Sequence, residues 1–167
     1  VAVFDGDETS GVRTWDSGHA GFGTTHFAEN RSWAASAAAA DPEVAVIELG
    51  TNDYTFELDP AVFEANLRTI VGDVVAASTG PVSVVLLPMW LGSGRDPERY
   101  GAYVDVQRRL AAELGLDVVD LSAEEAAVLT DDGVHPNALG QRVIADRLLD
   151  AVDPAYRSPA VPAPPTS

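Results

Sequence analysis

Three short apolar runs constrain this chain most: VAVIELG at residues 44–50, VSVVLLPM at 82–89 and LDVVDLS at 116–122. Each is nearly continuous rather than alternating, the pattern of strands buried on both faces. Segments of helical character separate them. Residues 26–40 read as one alanine-rich helix stopped at Asp41-Pro42, because the residue before proline is pushed out of the helical region. Asp59-Pro60 opens another with a capping carboxylate and a first-turn proline, and Phe63, Leu67, Ile70, Val71 and Val74 mark its inner face. A third spans Pro97 to Leu114, and a short acidic helix follows the run at 116–122. Pro136 begins the last helix, with Leu139, Val143, Ile144, Leu148 and Val152 facing inward. Strands alternating with helices in this way predict a three-layer α/β/α domain on a parallel sheet. Function in such sheets lies at the carboxyl ends of the strands.

The 167 residues suffice for one domain, expected over 1–152, and the Pro-rich stretch 153–167 is expected to be a disordered tail. Net charge is −16, all ten basic residues are Arg and Lys is absent. Such a surface repels phosphate backbones and anionic lipid, which argues against nucleic-acid and membrane-surface partners. No apolar run approaches the roughly 20 residues a membrane span requires, and no signal peptide is visible, leaving a soluble protein, cytoplasmic or secreted. Without Cys, neither disulfides nor thiolate chemistry is available. The first residue, Val1, lies in the strand-like run VAVF, and a mature form or a fragment is expected.

Three polar clusters fall at strand ends or turns. In Asp132-Gly-Val-His135-Pro-Asn137 a carboxylate three residues before an imidazole can hold Nδ1 and leave Nε2 as a general base; the plain alternative is a helix-capping Asp beside an incidental His. Gly50-Thr51-Asn52-Asp53 closes a buried run, offering the Asn52 amide to a developing oxyanion or merely an Asx turn. In Ser17-Gly18-His19-Ala20-Gly21-Phe22-Gly23-Thr24 the glycines let backbone approach a ligand, or simply turn the chain. Tyr54, Phe56 and Trp90 follow strand ends and are expected at the cleft rim, where they pack or shape a substrate site. His19 and His26 read as turn residues rather than metal ligands, since no third ligand sits at suitable spacing.

In this order and spacing the clusters resemble the SGNH (GDSL-type) hydrolases, over residues 12 to 152. GxxGxxT at 18–24 is similar to the family's Gly block, GTND at 50–53 to its Asn block and DGVHPN at 132–137 to its last block. The resemblance implies a flavodoxin-like α/β/α fold and a serine ester hydrolase acting on acyl or acetyl esters of small molecules, glycans or lipids, with neither metal nor cofactor. It implies Asp132 and His135 as the catalytic pair and Gly21 with Asn52 as oxyanion-hole donors.

The family's first block, Gly-Asp-Ser, is not matched: after VAVF the chain reads Gly6-Asp7-Glu8. Only 15 positions separate Gly6 from Gly21, too few for a helix of roughly ten residues and a strand. The preferred account is that the nucleophilic serine, with the first strand and helix, lies upstream of Val1, VAVF and VRTW (12–15) being extended pieces joined by a polar turn. A substituted, inactive site is the second account, which would make the domain a non-catalytic module binding a glycan or partner. A displaced nucleophile at Ser10 or Ser17 is the third. Asp5 and Asp7 also fit the hhhhDxDxT opening of haloacid dehalogenase-like phosphatases, which use Mg²⁺, but the basic residue that family needs, usually Lys, is missing. An EF-hand Ca²⁺ loop fits worse still, with Ser10 at its required glycine.

Overall fold

The computed structural model describes residues 14–152. The expected strand at 1–4, the acidic corner at 5–8, Ser10 and the tail 153–167 lie outside the described residues. Strands β1 (Val44–Ile47), β2 (Ser83–Leu86) and β3 (Asp117–Val118) form a sheet in that order, both pairs parallel. Val44 lies opposite Ser83 and Val85 opposite Asp117. On the β3 side the regular ladder stops at Pro88, which has no N–H to contribute. Single bonds continue it to the rim: Leu87 N–H to Ile47 O at 3.0 Å and Leu121 N–H to Pro88 O at 2.8 Å.

Helices cover the sheet on both faces, and β2 shows the layering residue by residue. Val84 and Leu86 pack with α4 (Pro60–Ala77) and α5 (Pro97–Leu114). Val85, and Leu87 just beyond the strand, face α6 (Ala126–Leu129) and α7 (Ala138–Val152). All five apolar residues expected on the inner face of α4 are buried. Both long helices begin as expected: Asp59 Oδ1 accepts from Ala61 N–H at 2.7 Å, and Asp96 Oδ1 from Glu98 N–H at 2.9 Å. Among the described residues the α6–α7 layer does not extend over β1. Val46 is 44% exposed, although its partner across the ladder, Val85, is fully buried.

Four expectations change. The single helix at 26–40 is two, α1 (Thr24–Glu29) and α2 (Trp33–Ala40). Asn30 Oδ1 accepts from Ser32 N–H at 3.3 Å, Arg31 turns aside to pair with Asp73 on α4, and the Trp33 indole donates to Phe27 O at 2.9 Å. Short polar side chains competing for the backbone break the helix where propensity alone would continue it. Second, α7 starts at Ala138 rather than Pro136, which forms a bridge with Thr130. Asn137 Oδ1 is its cap, accepting from Leu139 and Gly140 N–H at 3.0 Å, and at its end Ala151 packs inward while Val152 is exposed. Third, α6 carries no acid itself; Glu124 and Glu125 precede it. Fourth, GTND is no loose turn, because α3 (Thr51–Thr55) begins directly after Gly50.

Candidate active site

The Asp132–His135 turn is built from its own backbone. Asp132 Oδ1 accepts from the N–H groups of Val134 (2.9 Å) and His135 (2.8 Å), while Oδ2 lies 2.6 Å from His135 Nδ1. Gly133 sits at φ +84, and a Cβ there would meet the Ser93 side chain at 3.0 Å. The Trp90 indole donates to Val134 O at 3.1 Å and fixes the turn from below. The imidazole bond, then those two N–H groups, hold the Asp132 carboxyl well below its usual range. The His135 side chain is 82% exposed. Nδ1 is engaged by Asp132, and among the described residues no group hydrogen-bonds Nε2.

The glycine loop and the start of α3 form a second unit, anchored in the interior by Thr24 and Asp53. Asn52 Nδ2 donates to Phe22 O at 2.8 Å, leaving its other N–H uncommitted among the described residues. Asp53, 1% exposed, accepts from Thr24 N–H at 2.8 Å and Thr24 Oγ1 at 2.6 Å. Gly23 is pressed against that carboxylate, where a Cβ would come within 3.0 Å of Oδ1. Gly21 adopts φ +77 and is exposed, and its N–H donates to no group among the described residues. His26 lies in the first turn of α1 rather than in a loop turn: its Nδ1 accepts from Gly23 N–H at 3.1 Å and its ring stacks on Phe22.

One loop touches both units. Ser93 N–H donates to Gly133 O at 3.0 Å, and Arg95 Nη1 reaches Thr51 O at 3.4 Å. The direct bonds therefore join Asp132 to His135 and Asn52 to the glycine loop, and residues 92–95 bridge the two pairs. Ser17 is half-buried and makes no hydrogen bond among the described residues. The rim aromatics need correction: Tyr54 and Trp90 are buried at 7% and 2% exposure, and of the three only Phe56 is exposed. Tyr54 is enclosed by the rings of Tyr100 and Tyr103, and Trp90 belongs to the α6–α7 core. Sequence reasoning missed Asp53 and Arg95. Their partners lie 29 and 44 residues away, and no local pattern announces them. A hollow of about 290 Å³ between β3 and the end of α7 is not part of this rim. Among the described residues no group of three or more His, Asp or Glu could hold a metal, and no helix is long and apolar enough to cross a membrane.

An imidazole held by its own carboxylate, with a glycine loop and an asparagine following a neighbouring strand, places these polar groups on an α/β/α domain with a parallel sheet. The family model of the GDSL-like lipase/acylhydrolases matches residues 6–143, and the chain belongs to that family. Thioesterase 1/protease 1/lysophospholipase L1 of Escherichia coli (strain K12) is 30% identical over 122 residues, 68% of this chain and 55% of that protein. The chain thus spans about half the length of the curated relatives it matches. Among solved structures, a variant of Axe2, an acetyl-xylooligosaccharide esterase from Geobacillus stearothermophilus, superposes with TM-score 0.64 at 23% identity, covering 83% of this chain and 72% of that one. A carbohydrate esterase family 3 protein from Talaromyces cellulolyticus gives TM-score 0.67 at 22% identity, covering 78% and 66%. The fold is the flavodoxin-like one of SGNH hydrolases.

Proposed function

We propose that the domain hydrolyses acyl or acetyl esters through an acyl-enzyme, with a serine outside residues 14–152 as nucleophile. The observation that carries this reading is the 2.6 Å contact of Asp132 Oδ2 with His135 Nδ1, which leaves Nε2 as the base. The serine Oγ bonds to the ester carbonyl carbon while its proton passes to Nε2. The C–O bond to the alcohol then breaks and Nε2 returns the proton to the departing oxygen. Water repeats the path to free the acid. Gly21 N–H and the uncommitted N–H of Asn52 are the donors assigned to the oxyanion; the bond to Phe22 O orients the Asn52 amide for that task. The names of the relatives, a thioesterase and carbohydrate esterases, favour small acyl groups on glycan, lipid or thiol carriers as substrates.

A second reading, a non-catalytic module that binds a glycan or partner at the same site, is favoured by one observation. The family match opens at Gly6, and the Gly6-Asp7 pair there is followed by Glu8 rather than by the serine of the family's first block. A fluorophosphonate probe and p-nitrophenyl acetate, applied to this chain and to the full product of its gene, separate the accounts. The proposal expects little turnover from this chain. It expects labelling of a serine outside residues 14–152 in the full product, and a His135→Ala loss of about 10²- to 10⁴-fold there. Robust turnover of this chain that vanishes in Ser17→Ala would overturn the proposal, and in Ser10→Ala would overturn the upstream account. A full product that neither turns over nor labels leaves the binding module.

A further inference from the structure

We propose that Arg95, in the loop between the two halves of the candidate site, is its anion-recognising residue, selecting esters that carry a free carboxylate; the inference rests on the reading of that site as the ester site. Its starting point is a charge imbalance. The sequence has 26 acidic residues to ten arginines, so nearly every arginine should find a carboxylate. Of the eight arginines among the described residues, seven form ion pairs at 3.7 Å or closer. Arg95 forms none.

Its position is also the one that matters. Arg95 stands in the loop that joins the two halves of the site, half-buried, with one N–H on the carbonyl of Thr51, the residue before Asn52. On its other side lies Gly92. A Cβ there would come within 3.0 Å of Arg95 Nε and 3.2 Å of Gly133 O, in the turn that carries His135. A Cβ at 92 would press on both the guanidinium and the turn, each of which would have to give by a few tenths of an ångström. Arg95 also lies 5.3 Å from the centroid of the buried Tyr54 ring, which supports the guanidinium plane. Arg99 shares that ring, but its charge is answered by Glu57 at 3.0 Å. A guanidinium has five N–H donors in a rigid fork suited to a carboxylate, and one is used here. A held, uncompensated fork between the two halves of the site fits an anionic group on the bound ester. The surrounding negative charge would reject anions that do not reach it.

Two isosteric pairs of probes test this: 4-acetoxybenzoate against 4-acetoxybenzamide for a carboxylate on the alcohol side, and phenyl hemisuccinate against phenyl succinamate for one on the acyl side. Binding is read from ¹H–¹⁵N spectra of this chain, following Gly21, Ser93 and the Arg95 Nε–H, so turnover is not required. In at least one pair the carboxylate member should bind roughly tenfold tighter at low salt, and the ratio should shrink at high salt. Arg95→Gln should bring that pair within twofold of each other, and Arg95→Lys should keep part of the preference, having the charge without the fork. A purely structural role would change both members of a pair alike and leave the ratio standing. Equal affinities in the unmodified chain, or a preference that survives Arg95→Gln, overturn the inference. Failure of fluorophosphonate labelling in the full gene product would instead count against the ester-hydrolase reading and leave this ratio unaffected.

Discussion

The two halves of the candidate site are held in opposite ways. The Asp132–His135 turn is exposed, and its defining bonds span two or three residues. The Asn52–Asp53 unit is anchored in the interior, and its bonds to the glycine loop span 29 and 30 residues. A local hydrogen-bonded turn forms wherever its few residues find the right backbone, so it contributes geometry but little to global stability. A buried carboxylate with two donors is committed to one tertiary arrangement, because breaking it strands polar groups away from water. Local bonds therefore set the pairing in one half, which Trp90 and Ser93 then fix in place, whereas the other half exists only in the folded domain.

The largest expected effect follows from Asp53. Asp53→Ala leaves the Thr24 N–H and hydroxyl without their acceptor in the interior, and should lower unfolding free energy in urea by about 2–4 kcal/mol. A variant as stable as the parent would break the contrast. Alkaline titration probes the interior next. Tyr100 donates to Met89 O, and burial pushes its phenol up to about 12. The folded state holds that proton more tightly than the unfolded chain, so the contribution is complete below pH 10 and is lost as pH rises from 10 towards 12. Phenolate absorbance near 295 nm, compared between the parent and Tyr100→Phe to separate this phenol from the other three tyrosines, reads the transition, and the substitution should flatten the fall in stability.

A smaller effect is expected at Asn52. Asn52→Ala removes one bond to Phe22 O, costing about 1 kcal/mol, and should speed amide exchange across residues 18–23 while leaving the core unchanged. Unchanged exchange in that loop would show that Asp53 holds it alone. The smallest effect belongs to the exposed half. Asp132→Ala should leave the urea midpoint where it was, yet abolish the downfield Nδ1–H resonance of His135. Because the Asp132 carboxyl lies below its usual value of 3.8, the pairing is complete above that pH and is lost only as pH falls further. The same resonance should persist on acidification to about pH 4 in the parent.

Much of the fold was legible because continuous apolar runs mark the strands, even at β1 where Val44 and Val46 leave one face uncovered, and long amphipathic helices repeat their inner residues. Helix α5 begins and ends at Pro97 and Leu114 as the sequence alone suggests, capped by Asp96 and closed by Gly115 at φ +68. The break between α1 and α2 was hidden by helix propensity: Asn30 competes locally for the backbone of Ser32, and Arg31 reaches Asp73 across the domain, which no linear pattern shows. The same divide runs through the site. Asp132 and His135 are paired by spacing alone. That Phe22 holds the Asn52 amide, and that Asp53 and Arg95 belong to the rim at all, was decided by tertiary packing. Hydrogen bonds between residues far apart in the chain form only when the helices bring those residues together, so a linear pattern of residue types carries no trace of them.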